Sequence, residues 1–129
     1  MKSIDANRVL GAATALYSVA IMVRPEWLAK PCDLPQDSDG RPPRQTGLLI
    51  RALGARDTAI GIAMSVADSE STRRSATWCR VAADTADAAL FGTLLESRQA
   101  RWKVAGFALS WATLCALSLR STHGRCPRT

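Results

Sequence analysis

Six ionisable side chains lie within otherwise apolar stretches of this chain. Arg51, Arg56 and Asp57 fall in GLLIRALGARDTAIGIAMSVA, and Arg80, Asp84 and Asp87 fall in TWCRVAADTADAALF. An ionisable group at membrane depth costs roughly 2.5 kcal/mol or more on insertion scales, so such groups are expected to face one another and to mark function. Three cations would then meet three anions across two adjacent helices. Asp84 and Asp87 are three residues apart and Arg80 precedes Asp84 by four, which puts all three on one helical face. Two carboxylates so placed in a low dielectric do not both ionise readily, and an arginine keeps one charged while the other holds its proton. That is an acid and base pair. The candidate catalytic residues are Asp84, Asp87 and Asp57, and the candidate substrate-binding residues are Arg51, Arg56, Arg80 and Tyr17. The competing reading is structural: Arg51 or Arg56 salt-bridges Asp84 or Asp87 to lock two helices together, and Arg80 only snorkels to an interface.

The elements that must position these groups are four apolar segments, at residues 4–28, 47–67, 75–95 and 101–119. Each is near the ~20 residues that cross a hydrocarbon core. Small or polar residues recur on one face of each. The first carries Asn7, Gly11, Thr14 and Ser18; the second Gly47, Arg51, Gly54, Thr58, Gly61 and Ser65. The third carries Thr77, Arg80, Asp84 and Asp87, and the fourth Lys103, Gly106, Ser110 and Thr113. A water-soluble bundle puts its apolar stripe inside, whereas here the wide face is apolar and the narrow one is polar. Trp27, Trp78 and Trp102 stand near segment ends, as interface tryptophans do. The expectation is a single all-α domain: a four-helix transmembrane bundle, antiparallel through its short links, in the cell membrane. The AKPCDLPQDSDGRPPRQT stretch is expected as an extended, solvent-facing loop and residues 120–129 as a disordered tail.

Composition bounds the function classes. The 129 residues suffice for one domain, and a mean hydropathy of -0.02 leaves the distribution of apolar residues to decide the environment. The net charge of +6 comes from arginines between apolar segments without interleaved aromatics, which argues against nucleic-acid binding. Four cysteines show no CxxC spacing and the only histidine is His123, so no metal site and no cofactor are expected. No P-loop, GxGxxG, GxSxG or HExxH motif occurs. The N-terminal stretch resembles a signal peptide in length, but Arg24, Pro25, Glu26 and Trp27 follow without a cleavage site, and it is read as an uncleaved helix. Lys and Arg divide seven to seven between the two sides, which leaves orientation open.

The pattern R-x-x-G-x-R-D-x-x-x-G, at Arg51, Gly54, Arg56, Asp57 and Gly61, resembles the second helix of small DoxX-like four-helix membrane proteins. It is similar in particular to a bacterial and fungal branch described as a domain of unknown function, from which the Pro-rich first loop departs. The resemblance implies the four-helix membrane fold and marks Arg51, Arg56 and Asp57 as site residues; it implies little about activity. The leading functional expectation is a cofactor-independent enzyme acting on a lipophilic small molecule by epoxide opening, cyclisation or isomerisation. Soluble limonene-type epoxide hydrolases use an Asp, Arg and Asp set in this way, a chemical analogy on an unrelated fold. The alternative is a non-catalytic membrane subunit or a carrier, in which the Asp/Arg cluster locks helices or binds a partner. The expected partners are membrane lipid and a lipophilic ligand, with a homo-oligomer needed to enclose a carrier path.

Overall fold

The computed structural model describes residues 5–121 of the chain. Among the described residues five helices follow in order: α1 (Ala6–Val23), α2 (Glu26–Ala29), α3 (Arg44–Val66), α4 (Glu70–Leu94) and α5 (Arg98–Ser121). The Asp5 side chain caps α1 by accepting from the Asn7 amide, and Ser69 caps α4 by accepting from the Thr72 amide. The first apolar segment is not one helix. Arg24, which precedes Pro25, leaves helical geometry, with φ -126° and ψ 79°, because proline excludes the α conformation from the residue before it. The chain resumes in the single turn of α2.

The four long helices form an antiparallel bundle, with α1 packed most closely on α3 and α4 on α5, a lighter contact between α3 and α4, and a sparse one between α1 and α5. Glycines set the α1–α3 distance. A Cβ built on Gly61 would lie 2.6 Å from the Gly11 carbonyl oxygen and 2.7 Å from the Ala15 nitrogen, so the two backbones touch. Gly54 meets Ser18 and Met22 in the same way one turn pair further along. The buried residues of α3 run Gly47, Ile50, Gly54, Asp57, Gly61 and Met64, at alternating spacings of three and four. Arg8 closes the α3 C-terminus by donating to the carbonyl oxygens of Ser65 and Ala67.

The interior mixes apolar and polar side chains, and much of the exterior is apolar. Asn7, Thr14, Ser18, Asp57, Thr77, Arg80 and Asp84 are buried, whereas Leu16, Val23, Leu48, Leu49, Leu94 and Trp102 are each more than 60% exposed. Asn7 ties three helices, donating from Nδ2 to Thr77 Oγ1 and to Ser118 Oγ, both at 2.9 Å. An apolar surface of this extent marks contact with a membrane or a partner. Trp27 and Trp78 are about half exposed, alongside Trp102.

Among the described residues two helices, α1 over Ala6–Val23 and α5 over Arg98–Arg120, are long and apolar enough to cross a membrane, and most of each is not buried, unlike the core helix of a soluble protein. The expected four-span transmembrane bundle is corrected on this point. Helices α3 and α4 are long enough but too charged: Arg51, Arg56 and Asp57 in one, and Arg80, Asp84 and Asp87 in the other, take them out of the spanning class.

The connection between α2 and α3 is largely exposed, as a solvent-facing loop is expected to be, but its first part packs on the bundle. Cys32 is buried and Leu34 packs with Leu28 against Leu95 and Ala100, so this segment covers one end of the bundle. A left-handed residue, Asp33 with φ 53°, and a turn closed by the Gly40 amide donating to the Asp37 carbonyl redirect the chain toward α3. Burial pushes the Cys32 thiol up to about 11, which makes it a poor nucleophile at neutral pH. Of the expected disordered tail, residues 120–121 belong to α5 and the rest lies outside the described residues.

Candidate functional site

The spacing of the charged residues along α3 and α4 resolves into a single chain of alternating charge, Asp87, Arg56, Asp57, Arg80, Asp84. Arg56 donates from Nη2 to Asp87 Oδ2 at 2.7 Å and from Nη1 to Asp87 Oδ1 at 3.3 Å, a forked pair across the helix contact. Its Nε donates to Asp57 Oδ1 at 2.8 Å. Arg80 Nη1 stands 2.9 Å from the same Asp57 oxygen, within ion-pair distance but outside hydrogen-bond geometry. Arg80 then grips Asp84 one turn along α4, with Nε to Oδ2 at 2.8 Å and a close Nη2 contact to Oδ1.

Two cations therefore serve three anions. The expected third cation, Arg51, is absent from the cluster: it is exposed, and its Nε donates to the Met22 carbonyl oxygen at 3.1 Å. The physical reason is azimuth. Ile50, not Arg51, falls on the alternating three-and-four line that α3 turns to the interior, and neighbouring helical positions diverge by about 100°. Arg80 is enclosed with the carboxylates, 6% exposed, against the competing reading that it only snorkels to an interface. With three carboxylates together, burial raises the Asp84 pKa above the ordinary carboxylate value even though Arg80 pulls it down. Burial also opposes the Arg56 charge, but Asp87 and Asp57 outweigh it and raise its pKa.

The chain of charges connects two openings. At one end Arg56 and Asp87 are the only charged residues on a groove of about 650 Å³ between α3 and α4, whose walls include Leu49, Leu53, Leu90, Phe91 and Leu94. In its middle, Asp57 and Arg80 reach a pocket of about 280 Å³ between α1 and α5, lined by Thr14, Tyr17, Phe107 and Trp111. Tyr17 is thus near the cluster, its ring 6.4 Å from that of Phe107. Trp111 was not legible as a site residue; its Nε1 donates to Thr14 Oγ1 at 3.0 Å and closes this pocket. A tryptophan in the middle of an apolar helix, with an N–H that needs a partner, was the available signal.

Asp84 and Asp87 do not form one acid and base pair. Each is claimed by a different arginine, and Asp84 is 3% exposed and lines neither opening, whereas Asp87 faces the groove. Two Asp, Arg and Asp arrangements share Asp57: Asp57, Arg80, Asp84, whose Asp84 is enclosed, and Asp57, Arg56, Asp87, the one with both carboxylates at an opening. The two carboxylates of the latter reach different openings. No protein-family model, curated protein or solved structure matches the chain.

Proposed function

We propose that the chain is a membrane-associated protein that admits a lipophilic small molecule between α3 and α4 and acts on its polar group with Asp87 and Arg56. The observation that carries this reading is the apolar groove of about 650 Å³ whose only charged lining is that pair. Pockets for small molecules have this composition, a mainly apolar wall with few polar groups that orient the ligand. Asp87 would take a proton from the bound molecule and return it elsewhere on the same molecule, as in an isomerisation or ring opening, while Arg56 stabilises the developing negative charge. Kinship with the DoxX-like group is part of the proposal and rests on the R-x-x-G-x-R-D-x-x-x-G motif alone.

Membrane association is supported by the two spanning-length helices and by the apolar exterior. After cell fractionation the protein is expected to stay in the membrane pellet through a carbonate wash and to enter solution with detergent. Recovery as a monodisperse species without detergent would refute it.

Asp87→Asn isolates the chemistry. Arg56 keeps Asp57 as a partner in this variant, so its thermal unfolding in detergent should stay close to that of the unmodified protein. Turnover across a panel of epoxides and related lipophiles should fall by about 10²- to 10⁴-fold, the usual contribution of a positioned acid or base. Unchanged turnover would remove Asp87 from the mechanism. A second reading, the non-catalytic subunit, is favoured by the enclosure of Arg80 and Asp84, which resembles a helix lock; it predicts no turnover of any panel member and no ligand retained in the groove.

A further inference from the structure

A second concentration of charge lies at one end of the α1–α3 pair, apart from the Asp/Arg chain. Arg24, Arg41, Arg44 and Arg51 line a pocket of about 420 Å³ together with a single carboxylate, Glu26. Glu26 is 3.7 Å from Arg24. Among the described residues Arg41, Arg44 and Arg51 have no carboxylate within ion-pair distance, and all four arginines are exposed. The hydrogen bond from Arg51 Nε to the Met22 carbonyl fixes one guanidinium against the α1 terminus. Pro25 bends the chain after Arg24, and Arg44 opens α3, so three separate parts of the chain bring like charges to one concavity. Such convergence is unfavourable by itself and is relieved by an anion.

Position identifies the source of that anion. Arg24 directly follows Val23, the last residue of a stretch long enough to cross a membrane; exposed Val23 lines the pocket, and exposed Trp27 and Leu48 directly follow its lining residues Glu26 and Gly47. A tryptophan and arginines at the end of an apolar helix stand at head-group depth. Guanidinium groups match phosphate oxygens with paired N–H donors. We propose that this four-arginine pocket binds a phosphate oxyanion, supplied by the head group of an anionic phospholipid.

The test is native mass spectrometry of the detergent-solubilised full chain with phosphatidylglycerol, phosphatidylcholine or inorganic phosphate added in separate arms. Phosphatidylglycerol should be retained in preference to phosphatidylcholine. Its apparent affinity should fall about tenfold or more in Arg41→Gln/Arg44→Gln, in which two exposed charges are removed without touching the bundle interior. Arg74→Gln/Arg120→Gln, which removes two exposed charges from a different pocket, should leave it unchanged. An equal loss in that control, or equal retention of the two lipids without phosphate binding, overturns the site. Saturable inorganic phosphate binding that is sensitive to Arg41 and Arg44, with no lipid preference, overturns the lipid assignment and gives the site to free phosphate. Thermal unfolding of both double variants separates lost binding from lost fold.

Discussion

Gly61→Ala is expected to destabilise the bundle by about 2 kcal/mol or more, although alanine is the better helix former. Alanine in place of a helical glycine gains about 1 kcal/mol of propensity. Against this, the added Cβ meets the Gly11 carbonyl oxygen at 2.6 Å and the Ala15 nitrogen at 2.7 Å. Overpacking a filled interior typically costs about 1–3 kcal/mol, and here the obstructing atoms are backbone, which cannot swing aside as a side chain can. The helices must part, and separation also loosens the Gly54 contact with Ser18. Gly106→Ala is the matched control, because nothing lies within 4 Å of its Cβ position. It should stabilise by about 0.5–1 kcal/mol through propensity alone. Unfolding in detergent, by heat or by titration with a denaturing detergent, reads both. A Gly61→Ala protein as stable as the original would mean that α1 and α3 do not approach as closely as described.

Arg80→Met should cost about 3–5 kcal/mol, the penalty for leaving one partner of a buried ion pair. Arg80 is the only arginine that grips Asp84, while Asp57 retains Arg56. Against a total stability of about 5–15 kcal/mol for a folded domain, this is enough to depress expression or insertion. Arg80→Met/Asp84→Leu should recover most of the loss, since an apolar pair of similar volume avoids the buried charge altogether. Acidification should also rescue the single variant. Burial already raises the Asp84 pKa, and loss of Arg80 raises it further. The folded state then holds a proton that the unfolded chain releases, so stability is lost as pH rises through the folded value and regained as pH falls. A single variant as stable as the original at neutral pH would show that Asp84 is solvated.

These two variants probe different functions of the same interior. The glycine contact holds α1 against α3, and the ion pairs of Asp57 with Arg80 and of Arg56 with Asp87 tie α3 to α4. The arginines then divide the carboxylates into an enclosed one, Asp84, and one that faces an apolar groove, Asp87. Only the second has access to a ligand, which is why the proposed chemistry rests on Asp87 and why Asp84 is assigned a structural role.

Local pattern alone was sufficient for several features. The polar line Asn7, Gly11, Thr14, Ser18 is buried as its spacing implies, and so is the run Thr77, Arg80, Asp84, because residues three and four apart on a helix share a face whatever surrounds it. The all-helical class follows from the same periodicity, but the inward turn of small and polar residues fails on α5, where Lys103, Gly106, Ser110 and Thr113 are all exposed and Ala108, Ala112 and Cys115 are buried instead. Four membrane spans do not follow, because an apolar face is not an apolar helix, and α3 and α4 carry too much charge along their inner lines. Pairing was decided only by the tertiary structure. Spacing places Arg51 one position from the interior line of α3, and a rotation of about 100° separates membership of the charge chain from a hydrogen bond to the Met22 carbonyl. That rotation is set by the contact of Gly54 and Gly61 with α1, a long-range packing event between helices separated by twenty residues, 24–43, that include the single turn of α2. The arginine pocket has the same origin: Arg24 is remote in sequence from Arg41 and Arg44, and only the bend at Pro25 and the folded connection to α3 bring them together.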